Sequence, residues 1–239
     1  FTLGLEQTRV QASLVVERNP AASRDDLLRL NGDDLVATGV WLDGAAISSW
    51  HMEGSDLVIP LPGDRHEIGI ETVINPAANT QLMGLYASNG MLCTQCEAEG
   101  FRRITYFLDR PDVMSTYTVT LRADQQRFPV LLSNGNLREQ SVLPDGRHQA
   151  VWHDPFKKPS YLFALVAGRL VVTESSFIRR SGKPALLQVW VDGEGCCVIQ
   201  HGEAVWRGLG HGLCADDAAG AGLVDHHDRG AQFGPQVLA

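Results

Sequence analysis

Cys93-Thr-Gln-Cys-Glu-Ala-Glu-Gly-Phe-Arg-Arg-Ile-Thr-Tyr-Phe-Leu-Asp-Arg-Pro-Asp-Val113 sets two carboxylates, Glu97 and Glu99, between apolar segments. Gly100, the pair Arg102-Arg103 and the pair Tyr106-Phe107 follow them, a density of chemistry unusual in a connecting loop. Upstream, Leu85-Tyr86-Ala87-Ser88 reads as a strand and Asn89-Gly90 as the tight turn after it, since both central residues of such a turn need positive φ. Downstream, Asp109 to Ser115 predicts one or two helical turns, with Asp109 as cap and Pro111 in the first turn.

Further out the pattern is strands. Leu35 to Leu42, Leu57 to Ile59 and His66 to Ile74 carry β-branched, alternating content, with turns expected at Asn31-Gly32, Asp43-Gly44 and Pro62-Gly63-Asp64. Tyr117 to Ala123, Val130 to Leu132, Gln149 to His153, Leu162 to Thr173 and Ala185 to Val191 alternate or run apolar, with turns at Asn134-Gly135 and Asp145-Gly146. No window carries a helical stripe. The expected fold is all-β: antiparallel curved sheets packed as a sandwich, with little helix and an irregular C-terminal tail.

The ordered words Thr94-Gln95-Cys96-Glu97, Gly100-Phe101-Arg102 and Asp109-Arg110-Pro111-Asp112 resemble the zinc aminopeptidases of the aminopeptidase N family, bacterial branch. So do Leu131-Leu132-Ser133-Asn134-Gly135-Asn136, Asp154-Pro155-Phe156-Lys157-Lys158-Pro159 and Tyr161 to Gly168. The resemblance covers roughly Thr2 to Val191 and implies an all-β N-terminal domain that leans over the active site of a catalytic domain. It divides the chain into an aminopeptidase N-like β-domain, 1–191, and an unmatched tail, 192–239. The chain opens on Phe1 rather than methionine and runs straight into a strand, so it reads as a fragment of a longer polypeptide.

In that family the glutamate of the Thr-Gln-x-Glu motif helps bind the free α-ammonium of the substrate, and the glutamine lines the pocket for its first side chain. The resemblance therefore implies that Glu97 and Gln95 bind substrate. The chemistry is sound without the analogy, because a carboxylate in a closed site makes a charge-assisted bond of roughly 1.5–3 kcal/mol to an ammonium and is left unpaired by an acylated amine. Taken alone, Glu97 reads as a solvated loop acid and Gln95 as a polar strand end. Glu99 reads as a solvated or arginine-paired residue, with Arg102 and Arg103 at hand, and Asp109, Arg110 and Asp112 as structural.

The family's zinc sits on an H-E-x-x-H helix with a distant glutamate, and the motif's own glutamate is the general base. That motif does not occur in this sequence, nor does G-A-M-E-N; His66-Glu67-Ile68-Gly69-Ile70 is a near miss lacking the second histidine. Zinc is thus expected in the full-length family enzyme and not in this chain, which is expected to have no catalytic residue and to be inactive alone. Its expected partners are peptide N-termini and the missing catalytic domain of the same polypeptide. The alternative, from another class, is a stand-alone non-enzymatic β-sandwich binding or scaffold module. No G-x-S-x-G elbow, G-x-G-x-x-G or Walker loop is present.

Composition agrees with a soluble, folded chain. At 239 residues and 44% hydrophobic content it can bury a substantial core. A formal net charge of -8 argues against nucleic acid or an anionic membrane as partner. The longest apolar run, Leu162 to Ala167, is far short of the ~20 residues that span a bilayer, and no signal segment opens the chain, so the expected location is cytoplasmic. The odd set Cys93, Cys96, Cys196, Cys197 and Cys214 reads as thiols rather than a disulfide framework, with Cys93-x-x-Cys96 as small side chains packed near a loop.

Beyond Asp192 lie ten of the 24 glycines, no lysine, and His201, His211, His226 and His227. Strand periodicity fades there, and the sequence reads as a shifted frame or a divergent tail. Its cysteines and histidines match no closed zinc spacing.

Overall fold

Alternating β-branched and apolar residues cannot bury one face alone, so the strands here associate as stacked antiparallel sheets. The computed structural model describes residues 1–20, 26–192, 196–200 and 203–207. The strands of the first half are β1 (Thr8–Glu17), β2 (Leu27–Leu30), β3 (Ala37–Leu42), β4 (Ala45–Ala46), β5 (His51–Glu53), β6 (Asp56–Pro60), β7 (Arg65–Ile74), β8 (Gly84–Ser88) and β9 (Met91–Gln95). Those of the second half are β10 (Ser115–Asp124), β11 (Val130–Ser133), β12 (Asn136–Val142), β13 (Arg147–Lys158), β14 (Leu165–Gly168), β15 (Leu170–Ile178), β16 (Pro184–Asp192), β17 (Cys196–Gln200) and β18 (Glu203–Arg207). Among the described residues the helical content is three 3-10 turns, Pro76–Ala78, Phe101–Arg103 and Ser160–Leu162. Among the described residues no helix is long and apolar enough to cross a membrane.

The chain divides into two compact units, Phe1–Leu170 and Val171–Ala239. In the first, the sheets run β1-β7-β3-β4, β2-β6-β5, β10-β13-β12 and β11-β14-β9-β8. Two apolar cores form between them. Leu30, Val40, Leu57, Ile59, Ile68, Ile70 and Tyr106 make one. Val10, Leu85, Leu92, Val119, Leu121, Leu131, Leu165 and Ala167, with the ring of Phe101, make the other. Leu14 of β1 packs against both. In the second unit, β15 pairs with β16, and β17 pairs antiparallel with β18 with Cys196 opposite Arg207. The tail's Cys214 and its histidines His201, His211, His226 and His227 lie outside the described residues.

The sandwich of antiparallel sheets is the expected class. Asp43-Gly44, Asn89-Gly90 and Asp145-Gly146 each join neighbouring strands as hairpin turns; Asp43 (φ 49°), Gly44 (82°), Asn89 (48°) and Gly90 (77°) take the left-handed conformation such turns require. Three other expected turns do different work. Asn31 bridges Phe107, and Gly32 follows it because the Tyr106 ring lies 2.3 Å from where a Cβ would stand. Pro62-Gly63-Asp64 and Asn134-Gly135 carry the chain from one sheet into another.

The expected helical turns at Asp109 to Ser115 are replaced by a single β-turn, Val113 N donating to Arg110 O at 3.2 Å, with Pro111 at the second position that suits it. Asp109 cannot cap a following helix because its carboxylate is already engaged by the preceding loop. The apolar run from Leu162 to Thr173 likewise splits. The 3-10 turn takes Leu162, β14 pairs with β9 and β11, and β15 leaves to join β16.

Candidate functional site

Strand β9, between β14 and β8 in its sheet, carries the site at its C-terminal end. Pairing with β8 puts Gln95 opposite Gly84. Thr94, one residue earlier, ties the strand across to β14: its Oγ1 accepts from Leu165 N at 2.8 Å and donates to Leu165 O at 3.3 Å. The chain then closes a tight loop, Gly100 N donating to Cys96 O at 2.8 Å. A Cβ on Gly100 would stand 2.5 Å from Gln95 O and 2.9 Å from Cys96 Cα, so only glycine closes the loop at this distance. The Glu97–Ala98 peptide within it is cis.

The loop is anchored on both flanks. Cys96 is buried in the core, where desolvation, with the nearby Asp109 carboxylate, pushes its thiol up to about 12. Phe101 is buried on the other side, its ring edge-on to Phe107 and Phe163 at 5.0 and 5.1 Å. Between these anchors Gln95, Glu97, Ala98 and Glu99 are exposed. Gln95 Nε2 donates to the Glu97 carbonyl at 3.3 Å, so the two residues singled out from the sequence are in direct contact through a side-chain-to-backbone bond.

Beneath the loop lies a polar knot. Asp109, with a side chain 1% exposed, accepts from Arg102 N at 3.1 Å and Arg102 Nε at 3.0 Å on one oxygen and from the Ser160 hydroxyl on the other. Arg102 also donates to the Asp109 carbonyl at 2.8 Å, and Asp109 N donates to Asn31 Oδ1 at 3.3 Å. A buried carboxylate is tolerated only when paired and hydrogen-bonded, and this one is both. Arg102 reaches outward as well, pairing with Glu99 at 3.2 Å, the arginine pairing expected of that residue. Arg103 pairs with Asp33 and Asp34 instead.

Asp109 was expected to be structural, and it is, but it supports the loop before it rather than the turn after it. Ser160 and Asn31 had no local signal; they lie 51 and 78 residues from Asp109 and meet it only through the fold. Another buried acid, Asp154, pairs with Lys158 and fixes the Asp154-Pro155-Phe156 corner, where Phe156 N donates to Asp154 Oδ1 at 3.2 Å.

A shallow depression of about 300 Å³ beside the loop is lined by Glu99, Arg102, Arg103, Asp33 and Met83, and a larger groove runs along β1; neither includes Gln95 or Glu97. Among the described residues no group of three or more His, Cys, Asp or Glu side chains is gathered to hold a metal. What the described residues present is a rigidly based acid and amide, exposed side by side and suited to hydrogen-bond a charged or polar group brought to them.

The chain is similar to known proteins over most of its length. The Peptidase M1 N-terminal domain matches residues 46–162. The chain is 47% identical over 192 residues to aminopeptidase N of Escherichia coli (strain K12) and 44% identical over 197 residues to aminopeptidase N of Haemophilus influenzae; each match covers 80% of this chain and 22% of that protein. Among solved structures, Legionella pneumophila aminopeptidase A in complex with aspartic acid aligns with a TM-score of 0.74 and 33% identity, covering 78% of this chain and 22% of that one. An M1 zinc metallopeptidase from Deinococcus radiodurans aligns at a TM-score of 0.69 over 84% of this chain and 48% of that one, and at 14% identity shares the fold. The chain thus spans about a fifth of the length of the curated relatives it matches. The Thr94-to-Gly100 loop, seated on a buried aspartate after an inner strand, lies within a Peptidase M1 N-terminal domain, and the chain belongs to that family, with bacterial aminopeptidase N among its relatives.

Proposed function

We propose that this chain is the substrate-recognition domain of a zinc aminopeptidase that releases N-terminal amino acids from peptides, with Glu97 binding the free α-ammonium and Gln95 shaping the pocket for the first side chain. The observation that carries the reading is the contrast within one loop. Glu97 and Gln95 are exposed, yet the residues on either side are locked by Thr94, Cys96, Gly100 and the Asp109 knot. An exposed acid on an ordinary loop needs no such base; a recognition group held to a fixed position does. Support also comes from the relatives, whose names are aminopeptidases, and from a Deinococcus radiodurans relative by fold solved with a Tyr-Ser-Ala substrate.

Glu97 would discriminate by charge: a free amine gives it a partner, and an acylated one leaves a desolvated carboxylate unpaired. The described residues contribute no metal ligands to this scheme, and the metal with its activated water belongs to polypeptide beyond this domain. The isolated chain is accordingly proposed to be inactive. Purified with added zinc, it should release no N-terminal residue from an alanyl peptide, and release would overturn the assignment.

The positive test places residues 1–191 in the Escherichia coli enzyme in place of its matching segment. Glu97→Gln in that chimera should lower kcat/KM roughly ten- to a hundredfold, the loss of one charge-assisted bond. Gln95→Ala should alter the preference among first residues more than the rate on any one. A Glu97→Gln chimera within twofold of its parent would remove the recognition role.

A further inference from the structure

Five Asn-Gly or Asp-Gly pairs lie wholly within the described residues: Asn31-Gly32, Asp43-Gly44, Asn89-Gly90, Asn134-Gly135 and Asp145-Gly146. Such a pair is chemically weak. Glycine has no Cβ to shield its own backbone nitrogen, and that nitrogen can close a ring on the carbonyl carbon of the preceding side chain. The reaction needs a side-chain carbonyl that is free to turn and a glycine N–H that is free to move.

Contacts deny this to four of the five pairs. Asn31 Nδ2 donates to Asp56 Oδ1 at 3.3 Å, its Oδ1 accepts from Asp109 N at 3.3 Å, and its own N–H and C=O bridge Phe107. Asn134 Nδ2 donates to Leu162 O at 3.1 Å, and its Oδ1 accepts from Ala164 N at 2.6 Å. The glycines of both pairs are wedged as well, Gly32 against the Tyr106 ring and Gly135 against His153 O. Asp43 is bound by Glu67 N and His66, and Asp145 by the guanidinium and N–H of Arg147. Those bonds hold both carboxyls below the usual carboxylate range, and an ionised carboxylate is not open to attack by an amide nitrogen.

Asn89-Gly90 has no such restraint. It is the tip of the β8–β9 hairpin, where Ser88 pairs with Met91 and the two residues between take φ 48° and 77°. Both are exposed, and apart from chain neighbours nothing stands within 4 Å of where a Gly90 Cβ would be. The Asn89 carboxamide and the Gly90 N–H have no hydrogen-bond partner among the described residues.

We propose that Asn89 is a site of spontaneous deamidation, the Asn-Gly pair that converts to aspartate and isoaspartate in the folded chain, with water as co-reactant. Gly90 N bonds to Asn89 Cγ, the Cγ–Nδ2 bond breaks, and Nδ2 leaves as ammonia with the proton that Gly90 N gives up. Water then opens the ring. Addition at Cγ gives aspartate; addition at the backbone carbonyl carbon leaves the chain running through Cβ and Cγ, as isoaspartate. No oxidation or reduction is involved. Either product adds a negative charge at the hairpin tip, and isoaspartate also adds a backbone atom to a two-residue turn whose closure depends on both φ values. Strand β9 ends at Gln95, so the change loosens the recognition loop's support from its far end. That last link rests on the role proposed for Gln95 and Glu97; the modification does not.

The experiment ages the purified full chain at mildly alkaline pH, folded and in urea. Mass spectrometry follows the three Asn-Gly peptides, and chromatography separates aspartate from isoaspartate. In urea the three should convert at similar rates. In the folded chain Asn89 should stay within about threefold of its urea rate, while Asn31 and Asn134 slow by about tenfold or more, since each must first open its contacts. Asn89 slowed as far as the other two, or three equal rates in the folded chain, would overturn the proposal. Conversion is read with no substrate present, so it stands or falls apart from the role of Glu97. Asn89→Asp supplies the charge without the extra backbone atom. Hydrogen exchange of the β9 amides should be faster in the isoaspartate fraction than in that variant, and equal exchange would remove the link to the loop.

Discussion

Asp109→Ala removes the carboxylate on which the recognition loop hangs, and its cost can be worked from the contacts. Removing one partner of a buried ion pair costs about 3–5 kcal/mol, because the other charge is left uncompensated. Arg102 is not fully stranded here. Its side chain is 20% exposed, and Glu99 remains at 3.2 Å, which places its share near the bottom of that range. The Ser160 hydroxyl and the Arg102 amide lose an acceptor as well, each worth about 1 kcal/mol where burial prevents water from replacing it. The sum for Asp109→Ala is about 5 kcal/mol. For a folded unit of this size that lowers Tm by about 10–20 °C. Asp109→Asn keeps the shape and acceptors for two of the donors and should cost about half as much.

The assay is thermal unfolding followed by near-ultraviolet circular dichroism, with exchange of the Gly100 amide as the local readout, since that N–H closes the loop onto Cys96. Arg102→Met completes a double-mutant cycle. If the pair acts as the contacts indicate, the double variant should be more stable than the summed single effects predict by at least about 1 kcal/mol. An Asp109→Ala protein that melts within 2 °C of its parent, with additive Arg102→Met, would refute the reasoning that the loop rests on this pair.

Gly100→Ala should cost about 1–3 kcal/mol, because the new methyl meets Gln95 O and Cys96 Cα below contact distance; urea midpoints would register it, and an unchanged midpoint would contradict the close approach. Cys96, its thiol held near 12 by burial, should resist alkylation at pH 8 in the folded chain and react on unfolding, as peptide mapping by mass spectrometry would show. Because that folded value is above the unfolded one, its contribution to stability is present below about 9 and is lost as pH rises from there toward 12, so the urea midpoint should fall across that window and fall less in Cys96→Ala. Glu71, at the surface, is held below the usual carboxylate range chiefly by the Thr38 hydroxyl, with Gln11 and Arg9 adding to it. Its contribution is present above the unfolded value and lost as pH falls through the folded one; Thr38→Val should raise the Glu71 titration midpoint followed by NMR.

The strands were legible because each alternates or runs apolar over enough residues to define a buried face. Hairpin turns were legible where Asp-Gly or Asn-Gly stands between two strand patterns, both residues taking positive φ at Asp43-Gly44 and Asn89-Gly90 and the glycine alone at Asp145-Gly146. At Asn31-Gly32 the same dipeptide answers to a different demand, the face of Tyr106 lying against the backbone, which no local pattern encodes. Asn134-Gly135 is a further case: a Cβ on Gly135 would lie 2.3 Å from His153 O, a contact 18 residues along the chain. The residues proposed to bind substrate were legible through an ordered motif, since Gln95 and Glu97 lie two positions apart in the chain. Their support was not, because Asp109, Ser160 and Asn31 converge from three distant segments, and a lone aspartate before Arg-Pro looks like a cap until its partners are in view.

That support does not end at the polar knot. Phe101, the residue after Gly100, packs on Phe107, Phe163 and Tyr117, with ring centroids 5.0, 5.1 and 6.2 Å away. The loop is thus held by charge on one side and by aromatic packing on the other. Phe163→Leu, which removes a ring edge-on to Phe101 but keeps an apolar side chain, should speed exchange at Gly100 more than at the β7 amides. Equal acceleration at both would show that the ring serves the whole core, and that the loop's rigidity comes from the Asp109 pair alone.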